Sequence, residues 1–335
     1  MGPVQNIFGG IIMCTALSFR TNKHYFGRNL DYERHYGESI AITPRNMPLH
    51  FRKTEDLCNH YAFIGVATLS GDYPLYYDGT NEEGLSVAGL NFPGNAFYLP
   101  ETQCKNAVAP FEMIPLILGK CKNVRQVQSL FSNLQIASIP YSQDYPLTDL
   151  HWMVSDKNES IVLEQRKDGL KIFSNPLEVL TNNPPFEYHL ENIKNYLSLQ
   201  DADPTNKIAP TVPLSPYSRG MGAMGLPGDL SSASRFVRAV FTKFHSAVTE
   251  KEEDSVHQFF HILDGVAQQE GCVKVDDLYE KTIYSCCCNA DDGIYYYKTY
   301  ENNRITAVQM GKENLEADKP IIFPFHTKPD IFWMN

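Results

Sequence analysis

Among side chains able to attack an electrophile or hold a metal, the eight cysteines come first: Cys14, Cys58, Cys104, Cys121, Cys272 and the run Cys286-Cys287-Cys288. None is spaced C-x-x-C. Neighbours on a strand point to opposite faces, so the triplet cannot readily offer one metal three ligands. Buried free thiols in a reducing cell interior account for the set, and neither a metal nor a cofactor is expected.

Cys14 differs in its setting, Met13-Cys14-Thr15. An amide is a poor electrophile with a poor leaving group. Its cleavage needs an activated nucleophile, a base that later protonates the amine, and donors for the oxyanion. A cysteine that begins a chain supplies two of these. Its α-amine, with a pKa of about 7.7–8.0, can take the thiol proton near neutral pH and return it to the leaving group. This chemistry asks for no partner histidine, and none stands at a telling spacing.

Residues Met1 to Met13 precede that cysteine. While they remain, the Cys14 nitrogen is an amide and cannot act as a base, which forfeits about 10²–10⁴-fold in rate. The chain is therefore expected to divide into a leader, 1–13, absent from the mature protein, and a single domain, 14–335. A propeptide cut before Cys14, an appended segment, and translated upstream sequence with the true start at Met13 are the alternatives. The last is preferred, because codons for Gly9-Gly10 would place GGNGG a few bases before an ATG, like a bacterial ribosome-binding site.

Apolar residues make up 43% of the 335 and charged residues 20%, an ordinary globular composition. The net charge is −10, with no basic cluster, so a nucleic-acid partner is not expected. Residues 7 to 19 are apolar but too short to span a bilayer, and no Lys or Arg precedes them as in a signal peptide. The expected location is cytoplasmic, with no membrane partner.

The elements that must position Cys14 read mostly as strands. Ala16 to Arg20 and His24 to Arg28 flank Thr21-Asn22-Lys23, a hairpin signal. Ser39 to Thr43 and Tyr61 to Leu69 are further strands, and Pro74 to Asp78 with Leu85 to Asn91 reads as a second hairpin. A helical stretch runs from Pro110 to Leu134 with a break near Asn123. A meander follows: His151 to Ser155, Ser160 to Gln165, Leu170 to Phe173. Then come a short helix from Phe186 to Leu197, a Pro/Gly/Ser-rich loop from Asp201 to Ser231 long enough to border a site, and helices Ala233 to Val248 and Glu253 to Gln269. A last hairpin joins Thr282 to Cys288 with Gly293 to Tyr300. This order fits one layered α+β domain.

Met13-Cys14-Thr15 with Phe26-Gly27-Arg28-Asn29-Leu30-Asp31 resembles the opening of the choloylglycine hydrolase family, which contains bile salt hydrolases and penicillin V acylases. The likeness continues through Pro44-Arg45-Asn46, Ala88-Gly89-Leu90-Asn91-Phe92-Pro93, Leu150-His151-Trp152-Met153, Leu180-Thr181-Asn182, Gly225-Leu226-Pro227-Gly228-Asp229, Ser234-Arg235-Phe236 and Gly293-Ile294-Tyr295-Tyr296-Tyr297. It is nearly colinear from Met13 to about Glu313.

The resemblance implies an N-terminal-nucleophile hydrolase with a four-layer αββα sandwich of antiparallel sheets. It assigns Cys14 as nucleophile, Arg28 as the charge beside the thiol, and Asp31 as the carboxylate that orients the α-amine. Asn91 and Asn182 take the oxyanion positions, and Arg235 is a distal positive charge. A strand through Arg28 and Asp31 would send them to opposite faces, so a bend is expected there. Position 91 tends to be Asn in bile salt hydrolases and Tyr in penicillin V acylases. The implied reaction is therefore hydrolysis of glycine- or taurine-conjugated bile salts. The alternatives are penicillin V or another N-acyl amide as substrate, or a non-catalytic amphiphile binder if the leader stays. Leu30, Tyr36 and residues 136–139 are expected to line the acyl pocket, and the resemblance implies a homotetramer.

Overall fold

The computed structural model describes residues 13–247 and 250–335. Of the expected leader, only Met13 falls among the described residues.

Two antiparallel sheets carry the architecture. In the first, Met13–Arg20 pairs with His24–Tyr32 across the expected turn, setting Cys14 opposite Leu30 and Ala16 opposite Arg28. The sheet continues through Leu278–Asn289, Ile294–Thr299 and Thr306–Gln309, and Val179–Leu180 closes its other edge. Gly27 is obligatory, since a Cβ there would lie 1.9 Å from the Cys286 carbonyl oxygen on the neighbouring strand.

The second sheet runs Gly169–Ser174, Ser160–Arg166, Leu150–Ser155, Ser86–Asn91, Asp78–Asn81, Phe63–Ser70, Glu38–Thr43, Ile321–Pro324. Both its faces are covered, which explains why its strands read as continuous apolar runs. Ile40, Ile42, Ile64, Val66, Ala88 and Leu90 share a core with the first sheet. The alternate residues Ala41, Phe63, Val87 and Trp152 pack with the helices Met113–Lys120 and Val124–Phe131. On the far side of the first sheet lie the helices Ser232–Phe244 and Glu252–Asp264, through Phe236, Ala239, Phe259 and Leu263. Helix, sheet, sheet and helix form the expected four layers.

Four local expectations need correction. Tyr73–Tyr76 pairs with Phe63–Ser70, and it is Asp78–Asn81 that meets Ser86–Asn91. The turn tightens because Asn81 Oδ1 accepts the N–H groups of Glu83 and Leu85. The helical stretch ends at Phe131, and Gln135–Ser138 is instead a strand, parallel to Ala107–Val108 and Leu99–Pro100. Its break is where expected, with Asn123 capping the second helix by accepting the Gln126 N–H. The helix from Ser232 ends at Phe244, short of the expected end at Val248, which lies outside the described residues. No break in alternation separates Arg28 from Asp31, because the strand His24–Tyr32 is continuous and in register with Met13–Arg20 through both, and the irregularity there lies in the neighbouring strand, between Thr282 and Tyr284.

Candidate active site

The unbent strand gives the site its plan. Residues opposite each other in an antiparallel pair share a face, so Cys14, Leu30, Ala16 and Arg28 point into the space between the sheets, while Thr15 and Asp31 point toward the helices. On the sheet side, the Arg28 guanidinium is wholly buried. Its Nη2 donates to Cys14 Sγ at 2.5 Å, its Nη1 to the carbonyls of Tyr77 and Gly89, and its Nε to that of Asn29. Burial pushes the Cys14 thiol above its ordinary range, while Arg28 pulls it back toward thiolate.

On the helix side, Arg235 sits in the first turn of its helix, where the macrodipole disfavours a cation. It is nevertheless fully buried, because it serves as a donor to the nucleophile's own backbone. Nη1 reaches the Cys14 carbonyl at 2.5 Å and Thr15 Oγ1 at 2.6 Å, and Nη2 reaches Asn182 Oδ1 at 2.8 Å. Nε donates to the Leu230 carbonyl, so the long loop does border the site at its end. The expected distal charge therefore touches Cys14 directly.

Asn182 presents its oxygen, not its nitrogen, to Cys14. Oδ1 accepts the Cys14 N–H at 2.7 Å, and Nδ2 donates to the Asn91 carbonyl at 2.9 Å. The expected Asp31 contact with that nitrogen is replaced by this one. Asp31 Oδ1 instead accepts from Thr282 at 2.6 Å, and Oδ2 lies 4.0 Å from Arg235 with no hydrogen-bond partner among the described residues. Burial raises the Asp31 carboxyl to about 6, against the lowering pull of Arg235.

A further carboxyl, Glu280, escaped the sequence reading. It is buried, and its Oε1 accepts the Met13 N–H at 2.6 Å. Burial first and then Asp31 push it up to about 8. Thr282 and Glu280 alternate on one strand beside Asp31, and nothing in their spacing distinguishes them from a solvated strand.

The sign of the resulting pH effect follows. Between the ordinary 4.5 and about 8 the folded chain keeps the Glu280 proton that the unfolded chain has released, so stability falls as pH rises through this window. The slope for this one group approaches about 1.4 kcal/mol per pH unit. Glu280→Gln, in protein that retains Met13, should flatten this decline. Urea midpoints at pH 5 and pH 8 check it, and equal slopes for both proteins would refute it.

Beside the thiol opens a cleft with about 960 Å³ of non-atom space, the open solvent at its mouth included, lined by Cys14, Leu30, Tyr36, Asn91, Ile139 and Tyr145 among others. Its wall is mostly apolar carbon with a few phenols, fitted to a large hydrophobic acyl group. Leu30, Tyr36 and Ile139 line it as expected. Ile136 and Ala137 do not, because their strand turns them into the cores behind it. No group of three or more His, Cys, Asp or Glu among the described residues could hold a metal, and no helix among them is long and apolar enough to cross a membrane.

An αββα sandwich with a buried thiol on an inner strand is the fold of the N-terminal-nucleophile hydrolases. The profile of the linear amide C–N hydrolases, choloylglycine hydrolase family, matches residues 14–323, and the chain belongs to that family. It is 50% identical to a bile salt hydrolase/transferase of Lactiplantibacillus plantarum, over 96% of this chain and 100% of that protein. With a bile salt hydrolase/transferase of Clostridium perfringens the identity is 38%, over the same shares. Among solved structures, a variant of the conjugated bile acid hydrolase from Clostridium perfringens superposes with a TM-score of 0.88, at 36% identity over 96% of this chain and 100% of that one. Penicillin V acylase from Agrobacterium tumefaciens shares the fold, with a TM-score of 0.75 at 18% identity over 94% of each chain.

Proposed function

We infer that this hydrolase cleaves the amide of glycine- or taurine-conjugated bile salts, and that its active form begins at Cys14. The observation that carries the reading is the apolar cleft opening on the Cys14 thiol, in a chain half identical to a protein named for that substrate. Asn at position 91, on the cleft wall, supports bile salts over penicillin V.

In the mechanism, the rigid steroid fills the cleft and presents its amide carbonyl to Cys14 Sγ, with Arg28 favouring thiolate. The free α-amine takes the thiol proton and returns it to the departing glycine or taurine. The Asn91 amide and the second N–H of Asn182 Nδ2, the one not given to the Asn91 carbonyl, are assigned to the oxyanion. Asn182 Oδ1 and the Asp31 carboxylate are assigned to orienting the amine, and Arg235 to fixing the Cys14 carbonyl. Water then attacks the thioester, with the same amine as base. A thioester is equally open to an amine, in keeping with the transferase half of the two relatives' names. No step calls for a metal or cofactor.

Cytoplasmic location and a homotetramer belong to the same reading. Exposed apolar residues in the long loop, Ile208 and Tyr217 foremost, supply candidate contacts between subunits. Light scattering on purified protein tests the tetramer.

The experiment for the reading as a whole compares glycocholate, taurocholate and penicillin V turnover by protein begun at Cys14 and by protein with an uncleavable residue before it. The extended form should lose about 10²–10⁴-fold. Intact mass showing full activity with Met13 still attached would defeat the amine mechanism.

A further inference from the structure

Behind the cleft wall lies a buried histidine that the reaction above does not use. His151 and Glu164 are both wholly buried. His151 Nε2 lies 2.9 Å from the Thr181 carbonyl, and Nδ1 lies 3.2 Å from Glu164 Oε1. A carbonyl only accepts, so Nε2 carries a proton. A second proton must then lie between Nδ1 and Oε1, as imidazolium with carboxylate or imidazole with carboxylic acid. Either way the pair is neutral overall, which makes its burial tolerable. Arg166 stands 3.5 Å from the other Glu164 oxygen.

The pair's remaining contacts all lead to the candidate site. Glu164 Oε1 also accepts the Phe186 N–H at 2.9 Å. The two residues thus clasp both ends of the turn 181–186, which carries Asn182. His189 adds a third tie, its Nε2 lying 3.0 Å from the Asn182 carbonyl. The His151 ring also stacks on Phe92, centroids 4.3 Å apart and planes within 6°. Phe92 follows Asn91, and Asn91 is paired with Leu150 next to His151. One ring therefore backs both asparagines, although they are 91 residues apart in sequence.

We propose that His151 and Glu164 are positioning residues for amide hydrolysis, holding Asn91 and Asn182 in register with Cys14. The proposal rests on the functional reading above. A core histidine that merely satisfies its hydrogen bonds would set stability alone. A positioning pair sets kcat, because a displacement of about 1 Å at a reacting centre costs on the order of 10²-fold.

The test measures glycine release from glycocholate by H151A, H151Q and E164Q, per folded molecule, with folding followed by near-ultraviolet circular dichroism. H151A should lower kcat by about 10²-fold and change KM by less than about threefold. H151Q, whose amide can still donate to Thr181, should recover most of that loss. E164Q keeps the shape, but its amide oxygen can accept from both Phe186 and Nδ1 only by leaving His151 a buried cation without a counter-charge, and it should lose about tenfold. If H151A does not fold, E164Q carries the test. A kcat within twofold of wild type in folded H151A or E164Q, equal losses in H151A and H151Q, or a failure of E164Q to fold would each assign the pair to scaffolding and overturn the proposal. Wild-type protein that releases no glycine would sink the functional reading instead, a result separate from active wild type with active variants.

Discussion

Cys14→Ala should abolish release of glycine and taurine, with a fall of about 10⁴-fold or more, while the protein folds as before. The substitution removes only a sulfur from a strand whose backbone contacts stay in place. The Cys14 nitrogen still donates to Asn182, and its carbonyl still accepts from Arg235. The cleft should keep its affinity for the conjugate, so binding measured by calorimetry would survive while turnover disappears. Substantial release by the alanine protein would show that the thiol is not the nucleophile. Loss of binding together with turnover would show that the cleft does not hold the substrate independently of the thiol.

The second large effect is expected at Arg28. Replacing it by Met removes a permanent charge from beside the sulfur. At a separation of about 4 Å and an effective dielectric constant of about 20, that charge is worth roughly 4 kcal/mol to a thiolate. The thiol should therefore titrate higher still, with a loss on the order of 10³-fold in kcat/KM near neutrality. The sign is fixed by the charge. Without the cation the neutral thiol is favoured, so the acid limb of the pH–rate profile moves toward alkaline pH, and raising the pH recovers part of the rate. Arg28→Met also leaves the carbonyls of Tyr77 and Gly89 without their buried donor, at about 1–3 kcal/mol each. A general loss of stability would lower the rate equally at every pH. An unmoved acid limb is the result that would remove Arg28 from thiol activation.

How much of this was legible beforehand depended on the kind of signal. The paired runs around Thr21-Asn22-Lys23 gave the central hairpin, because strand-length apolar runs flank a polar turn there. The layered α+β class followed from the order of strands and helices, and the four layers from the family resemblance. The tightened turn at Asn81 was missed because its closure depends on a side chain bonding its own backbone, which outweighs the apolar pattern of Pro74 to Asp78. The strand Gln135–Ser138 was missed because its partners, Leu99–Pro100 and Ala107–Val108, are two-residue strands with no pattern of their own.

At the site, the family motifs named the residues but not their directions. Strand geometry correctly put Arg28 and Asp31 on opposite faces. The inference of a bend failed because the two do not need to converge. Each serves a different side of Cys14. Arg235 carried a hint that went unused, since a cation in a helix's first turn is disfavoured unless an anion or carbonyl faces it. Glu280 and Thr282 gave no such hint. Their carboxyl and hydroxyl matter only because the strand Leu278–Asn289 is laid beside Asp31, a contact spanning some 250 residues of sequence that no local window contains.

The alternation along the strand Met13–Arg20 has one more consequence. That strand acts as a partition wall one residue thick. On the function proposed above, substrate arrives on its sheet side, where the cleft and Arg28 lie, and an amino end released at Cys14 is held beside its helix side, where Glu280, Asp31 and Arg235 lie. The two compartments communicate through a single residue, which gives its sulfur to one and its carbonyl to the other. On that function, acyl selectivity can therefore be retuned in the cleft without disturbing the groups around the Cys14 backbone, and those groups can be altered without reshaping the cleft.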